Sequence, residues 1–341
     1  MDARHAVRKR IVVNARIPFV CDEGDFLLDY KEISVEFDTF NEKKNEILDG
    51  IDGGAFAFAD LEQDALVYHY TSLDGLKAIL DSGIFQLTDY HYLNDETEFN
   101  YMEKLLLEIV KEDFFGAPFW DSLIASIAEY RLTVRVETED LEHSYYVASF
   151  SKARDNLTLW AEFASYGCNM GVNPGRMFAD DMNLRYFGSV IYSLEEQKKV
   201  IRDAIRTVME HFFPDLQKGC LLREYMKCVD EQQARLLAIP IVKLVSYYGM
   251  AMKNPLYKAE EEFRMVFSAK GRKIHFKRKG NLFVPYIEVP LDMESGFDAL
   301  QSVTLAPLCR GTLERNSIEH YLRSKGIGNP DVKNSEIVLR Y

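Results

Sequence analysis

The chain has 341 residues, of which 47% are hydrophobic and 13% aromatic, and its formal net charge is −13. This composition is typical of a packed globular protein and excludes an intrinsically disordered chain. The acidic excess argues against broad binding to a nucleic-acid backbone, and the lack of any apolar run of about 18 residues predicts no membrane span and a cytoplasmic location.

Several common site signatures are missing from the sequence. The five cysteines are scattered and show no CxxC spacing, so neither a zinc site nor a disulfide framework is predicted. The patterns GxGxxG after a strand, GxxxxGK[ST], HExxH and GxSxG do not occur. An enzyme built on this chain would therefore need a less common set of residues.

Residues 1–65 are predicted to form an N-terminal extension with strand character, because IVVNARIPFV and ISVEFDTF resemble strands. A second domain is predicted from residue 66 onward. It opens with a strand at 66–70 and a helix at 73–82 that ends at Gly83, a residue typical of the position after a helix.

The polar residues around this first turn have two interpretations. His69 ends an apolar strand and is followed by Tyr70, Thr71 and Ser72. An imidazole and hydroxyls at the edge of a sheet can hold the hydroxyls of a ribose. In the alternative interpretation Ser72 caps the helix and His69 is a hydrogen-bonded structural residue.

The segment LNDETEF precedes a helix predicted near 96–112. Asn94 and Asp95 form a turn pair, and Asp95 with Glu98 resembles a capping box. In the functional alternative these side chains reach into the same cleft as His69 and contact a ligand. A metal-dependent nuclease using Asp95, Glu98 and Glu262 is a further hypothesis, but no known ligand spacing supports it, so no metal is predicted.

Two serines lie on the strand predicted at 144–151. Ser149 and Ser151 alternate with Phe150, so both hydroxyls face one side, either a polar pocket or solvent. The helix that follows has Asp155 or Asn156 as its predicted first cap.

The stretch 194–250 is predicted to be a helical insertion, and strands return at EEFRMVFSA, KIHFKR and FVPYIEVPL. Glu260 and Glu262 point to the same side, and Glu262 lies at the mouth of its strand. The end of the chain is predicted as a strand in VTLAPL, a helix in TLERNSIEHYLRSKG and a last strand in SEIVLRY. Because strands and helices do not alternate regularly, the predicted class is α+β.

The basic segment KGRKIHFKRKG, residues 270–280, has two interpretations. Its alternation favours a solvated edge strand, since lysines commonly protect sheet edges. The alternative is a patch for polyphosphate or nucleic acid.

Cleavage of the N-glycosidic bond of NAD would use such residues together. The nicotinamide leaves as a neutral molecule, so no general acid is required, and one carboxylate can stabilise the positive charge that develops on the ribose. Glu262 could supply that carboxylate, while His69 and the serines could fix the riboses.

Five blocks, HYTSLDGLKAILDSGIF, LNDETEF, SFSKARDNLTLWAEFASYGCNMGV, EEEFRMVF and the closing VTLAPL to VLRY, resemble the bacterial domain-of-unknown-function family 2971 over residues 66–341. HYTS, SFS and EEEFRMV are also similar to the strand motifs of ADP-ribosyltransferases. This second resemblance implies a split β-sheet core with helical insertions. It also implies that the following residues serve NAD: His69, Tyr70 and Thr71 as binding residues, Ser149, Phe150 and Ser151 at the nicotinamide pocket, and Glu262 as the catalytic residue assisted by Glu260. Arg154 is a candidate for a pyrophosphate contact.

Two functions are therefore expected. The first is an NAD-dependent ADP-ribosyltransferase or NAD-cleaving enzyme, acting as a bacterial toxin or defence effector, with the acceptor left open. The alternative is a sensor module that binds a nucleotide or ADP-ribose without chemistry. The second strand carries serine or Phe150 where the histidine class of these enzymes has tyrosine, which favours the sensor.

Overall fold

The computed structural model describes residues 37–52, 58–59, 66–93, 98–114, 121–122, 124–126, 128, 141–178, 183–213, 231–293, 296–309, 311–328 and 330–338. These residues form two compact units. A helical unit takes its described residues from 1–59, 95–139 and 191–254, and a sheet unit takes them from the remainder. The sheet is large and mostly antiparallel, so the class is α+β as predicted.

The helices of both units are numbered in chain order as α1 (Phe37–Asp52), α2 (Leu73–Ser82), α3 (Glu98–Phe114), α4 (Leu157–Phe163), α5 (Leu194–Phe212), α6 (Glu231–Gly249) and α7 (Thr312–Ser324). The strands are β1 (Phe58–Ala59), β2 (Val67–Thr71), β3 (Ile84–Asp89), β4 (Tyr145–Ser151), β5 (Cys168–Val172), β6 (Leu184–Ser189), β7 (Glu262–Ser268), β8 (Ile274–Lys279), β9 (Leu282–Pro290), β10 (Leu300–Leu305) and β11 (Asp331–Asn334).

In the helical unit, α1 and α3 each pack against α5 and α6. α5 begins after Ser193, whose side chain accepts a hydrogen bond from the backbone N–H of Glu196. The buried residues of α5 recur every three or four positions, which is the spacing of one helix face, and include Ile201, Ile205, Val208 and Phe212. The predicted helical stretch 194–250 is thus α5 and α6, and residues 214–230 lie outside the described part of the chain.

The predicted strand character of residues 1–65 needs correction. Residues 37–52 form α1, and Ile47 and Ile51, one helical turn apart, are both buried. The sequence ISVEFDTF suggested a strand because its apolar residues alternate, but its last four residues, 37–40, are the first turn of α1. The segment IVVNARIPFV lies outside the described residues.

The sheet unit has the strand order β6-β7-β4-β2-β5-β10-β11, with β10 and β11 parallel and the other neighbours antiparallel. One edge of β4 pairs with β2 at Ser151 and with β3 at Val147 and Tyr146. The sheet therefore forks along β4. One branch continues through β2, and the other runs through β3, β9 and β8.

α2 is confirmed with both predicted ends. The Ser72 side chain accepts from the Gly75 N–H at 3.0 Å, and Gly83 ends the helix with φ of 64°, a left-handed conformation that glycine adopts without strain. Its buried Leu76 and Leu80 join the main apolar core of the sheet unit. Ile318 and Leu322 of α7 belong to the same core.

The last strand differs from the prediction. It is β11, which precedes SEIVLRY and pairs with β10. Beyond β11, the Ser335 hydroxyl donates to Asp155 Oδ1 at 2.7 Å and the Glu336 N–H donates to Asp155 Oδ2 at 2.6 Å. These bonds hold Ser335 and Glu336 to the segment that precedes α4.

Candidate functional site

The three strands that carry the predicted site are neighbours in the sheet, in the order β7-β4-β2. Ser151 lies directly opposite Glu262 on one side and opposite Tyr68 on the other. Directly opposed residues of antiparallel strands project to the same face of a sheet. Glu262, Ser151 and Tyr68 therefore share one face.

That face is polar across five adjacent strands, and we call it the polar face. Register and alternation assign to it Tyr68, Tyr70, Ser149, Ser151, Asn169, Glu262, Arg264, Ser302 and Thr304. The opposite face of the same strands belongs to the apolar core and carries Val67, Phe150, Met170, Phe263 and Val303. A ligand site is therefore expected on the polar face and not on the face that forms the core.

His69 projects to the apolar side, away from Glu262. Its ring meets Phe85 edge-on with centroids 4.8 Å apart and Phe150 with centroids 5.7 Å apart. Nδ1 donates to the carbonyl oxygen of Ser149 at 3.3 Å. This bond joins β2 to β4 at the fork. The structure thus places His69 near the second motif strand but does not bring it to the predicted catalytic carboxylate.

The surroundings of His69 also keep it neutral. Burial between the two aromatic rings lowers the pKa of His69 from 6.5 to about 4, and the positive charge of Lys277 acts in the same direction. The bond to Ser149 opposes this shift only in part. A neutral imidazole that bridges two strands is a structural element of the fork.

Tyr70 and Thr71 are held by the protein itself. The Tyr70 hydroxyl donates to the Ala153 carbonyl at 2.7 Å and accepts from the Asn156 N–H at 3.1 Å, and burial raises its pKa. A Cβ added at Gly75 would lie 2.1 Å from Thr71 Oγ1, so the threonine packs tightly against the start of α2. Both residues therefore have structural roles in this state.

The three predicted pocket residues of β4 have different surroundings. Ser151 is buried, donates to the Glu260 carbonyl at 2.6 Å and accepts from the Ala153 N–H at 3.0 Å. Ser149 is exposed, and Phe150 lies in the core. Of the three predicted pocket residues, Ser149 alone offers its hydroxyl to solvent.

Glu262 forms a buried, two-point ion pair with Arg264. Arg264 Nε lies 2.7 Å from Glu262 Oε1, and Nη2 lies 3.0 Å from Oε2. The two residues are only 5% and 1% exposed. Paired hydrogen bonds of this kind fix the carboxylate plane and satisfy one lone pair on each oxygen. The carboxylate is therefore firmly oriented and has little contact with water.

The two glutamates before Glu262 shape the entry into β7. Glu261 has φ of 44°, a left-handed conformation unusual for a residue with a side chain, and its carbonyl accepts from the Lys152 N–H at 2.8 Å. Glu260 binds Ser151 through its backbone carbonyl. Through this bond Glu260 supports the pairing of β4 with β7.

Arg154 lies beside the polar face. Its carbonyl accepts from Asn169 Nδ2 at 2.6 Å, and its guanidinium forms an exposed ion pair with Glu336. Exposed ion pairs contribute only about 0–1 kcal/mol, so Arg154 can exchange this partner for a phosphate at little cost.

Three residues of this face were not among the predicted site residues. Tyr68 looked like an ordinary apolar strand residue, yet it is half-buried and in line with Ser151 and Glu262. Asn169 Oδ1 and Thr304 Oγ1, opposite each other on β5 and β10, are buried and have no hydrogen-bond partner among the described residues. Adjacent residues of a strand project to opposite faces, so the sequence could have indicated that Tyr68 and His69 do not share a face.

Asn94 and Asp95 lie outside the described residues. Within the described part of the chain, no group of three or more histidine, cysteine, aspartate or glutamate residues is arranged to hold a metal ion. None of the helices described has the length and apolar character needed to cross a bilayer.

Comparisons with protein-family models, curated proteins and solved structures find no match for the chain.

Proposed function

We propose that the sheet unit binds a nucleotide of the NAD or ADP-ribose type on its polar face, as a sensor module. The observation that carries this proposal is the pair of unpartnered buried groups, Asn169 Oδ1 and Thr304 Oγ1, on the same face as Tyr68. A buried polar group without a partner costs about 1–3 kcal/mol, and a polar ligand would recover part of that free energy.

The neighbouring side chains suit the parts of a dinucleotide. Tyr68 offers a ring against which a base can stack, and exposed Ser149 offers a hydroxyl to a ribose. Arg154, joined to Asn169 through its backbone, offers a guanidinium to a pyrophosphate. The similarity of HYTS and SFS to the strand motifs of ADP-ribosyltransferases supports the same ligand class.

Binding is favoured over catalysis because the predicted catalytic residues do not converge. His69 projects away from Glu262, and the Glu262 carboxylate is engaged by Arg264 in a buried pair. A carboxylate that stabilises a cationic sugar must face that sugar at the moment the bond breaks.

NAD cleavage is the second candidate, favoured by the alignment of Glu262, Ser151 and Tyr68 in one row. In this mechanism the bond between the ribose and nicotinamide breaks, and nicotinamide leaves with the bonding electron pair. Glu262 stabilises the positively charged sugar until water or another acceptor attacks it. Tyr68 would then cover the nicotinamide ring.

Calorimetric titration with ADP-ribose tests the binding proposal through the variant Thr304→Val. Because the hydroxyl has no partner among the described residues, the substitution should leave the Tm of the free protein equal or higher. It should weaken ADP-ribose binding about fivefold to tenfold, the effect of one lost hydrogen bond. Thr158→Val, at an exposed position on α4, is the matched control. Unchanged affinity in Thr304→Val would contradict the proposed site.

Release of nicotinamide from NAD separates the two candidates. A sensor releases none, whereas a cleaving enzyme releases it with wild-type protein and loses the release when Glu262 is replaced. Because single replacement breaks a buried ion pair, the test should use the double variant Glu262→Met, Arg264→Leu, with circular dichroism as a check of folding. Equal release by the folded double variant would remove Glu262 from any mechanism.

A further inference from the structure

The hairpin of β8 and β9 concentrates positive charge on an acidic protein. Residues 270–287 contain six basic residues and no carboxylate, in a chain with a net charge of −13. In the described part of the chain β8 pairs with β9 and with no other strand, so its outer edge is open. A charge separation of this size attracts polyanions to one region of the surface.

One face of this hairpin also exposes two aromatic rings. Phe276 is 57% exposed and Phe283 is 72% exposed. Phe283 lies directly opposite Arg278, and Phe276 lies two residues before Arg278 on the same face. The base of that face, at Ile274 and Ile287, packs into the core, so the rings lie where the face extends beyond the core.

We propose that this face, which we call the aromatic platform (Phe276, Arg278 and Phe283), binds single-stranded nucleic acid. Bases stack on exposed aromatic rings of a sheet, while nearby cations contact the phosphates. A duplex cannot use the rings, because its bases are already stacked on each other. The exposed cations Lys273 and Arg278 are close enough in sequence to the rings to serve the backbone of the same strand.

The details of the hairpin favour nucleic acid over a lipid surface. Its turn consists of Gly280 and Asn281, so the tip that would enter a bilayer first is polar and follows Lys279. The rings lie behind the tip on one face of the sheet. Exposed Leu282 projects to the other face, opposite Lys279. Flat rings on one face, with a cation between them, suit the stacking of bases better than insertion into a bilayer.

The test is fluorescence anisotropy of a labelled single-stranded oligonucleotide of about a dozen nucleotides, a length within the range of known single-strand sites. The double variant Phe276→Ala, Phe283→Ala should bind at least about tenfold more weakly, since each stacked base contributes a comparable factor. Tyr166→Ala, which removes another exposed ring at 74% exposure, should bind like wild type.

The salt dependence gives a second readout. Arg278→Ala should lower the slope of log affinity against log salt by about one unit, as expected for one lost phosphate contact. Lys104→Ala, at an exposed position on α3, should leave the slope unchanged.

Three outcomes would overturn the proposal. They are no binding of the single strand by wild type at low salt, equal binding by the Phe276→Ala, Phe283→Ala variant, and equal or tighter binding of a duplex of the same length. Vesicles rich in phosphatidylserine serve as the competing surface. If wild type preferred the vesicles and the phenylalanine variant lost that preference, the platform would be a membrane contact instead.

Discussion

At the scale of single residues, the ion pair of Glu262 and Arg264 stabilises the fold and also holds the carboxylate that any reaction on the polar face would use. Both are buried, and the guanidinium and carboxylate share two hydrogen bonds. Removing one partner of such a pair leaves an uncompensated buried charge. We therefore predict that Glu262→Ala lowers the free energy of unfolding by about 3–5 kcal/mol, measured by urea denaturation.

The double variant Glu262→Met, Arg264→Leu is the matched comparison. Because it removes both charges and keeps apolar volume, it should recover most of the stability lost by Glu262→Ala. A Glu262→Ala protein as stable as wild type would show that the ion pair does not contribute in this way.

His69 gives a prediction about pH. Its pKa falls from 6.5 to about 4 on folding, so between these values the unfolded chain binds a proton that the folded chain does not. The stability contributed by the neutral ring is complete above pH 6.5 and is lost progressively as the pH falls toward 4. His69→Asn retains an N–H for the Ser149 carbonyl but cannot take up that proton. The difference in unfolding free energy between wild type and this variant should therefore shift in favour of the variant as the pH falls.

The control for this experiment is His320→Asn, at an exposed position on α7. Parallel pH profiles for wild type and His69→Asn would contradict the neutral state of His69.

At the scale of elements, a buried glutamine fixes the start of α5. Gln197 Nε2 donates to the Ile191 carbonyl at 2.6 Å and to the Lys253 carbonyl at 2.8 Å, and Oε1 accepts from the Tyr101 hydroxyl at 2.6 Å. Gln197→Leu leaves these three groups without that partner and should cost about 2–4 kcal/mol of unfolding free energy. Lys199→Leu, exposed on the same helix, should change it by less than about 0.5 kcal/mol. Equal effects of the two substitutions would contradict the role of this network.

The elements show which parts of the fold local sequence determines. Ser72, Gly83 and Asn156 act as caps at the predicted ends of α2 and α4, because capping depends on a few neighbouring atoms. The face of each strand is different. A shift of register by one residue moves every side chain to the other side of the sheet, and the register here is set by pairing between distant segments. For this reason His69 and Glu262 could be predicted from the sequence as site residues, but their projection to opposite faces could not.

At the scale of the whole molecule, the sheet unit has three distinct surfaces. The apolar face builds the core, the polar face is proposed to hold a nucleotide, and the aromatic platform is proposed to hold a single strand. The three motif strands were predicted from the sequence, but their order β7-β4-β2 was not. The unpartnered groups of Asn169 and Thr304 could not be predicted either, because they become neighbours only through the pairing of β5 with β10.

The most direct test of the central claim compares two adjacent residues of β2 that project to opposite faces. ADP-ribose is titrated calorimetrically into wild type, Tyr68→Leu and His69→Asn. Loss of the Tyr68 ring should weaken binding at least about tenfold, whereas His69→Asn should stay within about twofold of wild type. Strong loss in His69→Asn with wild-type affinity in Tyr68→Leu, or no binding of ADP-ribose by wild type, would contradict a nucleotide site on the polar face.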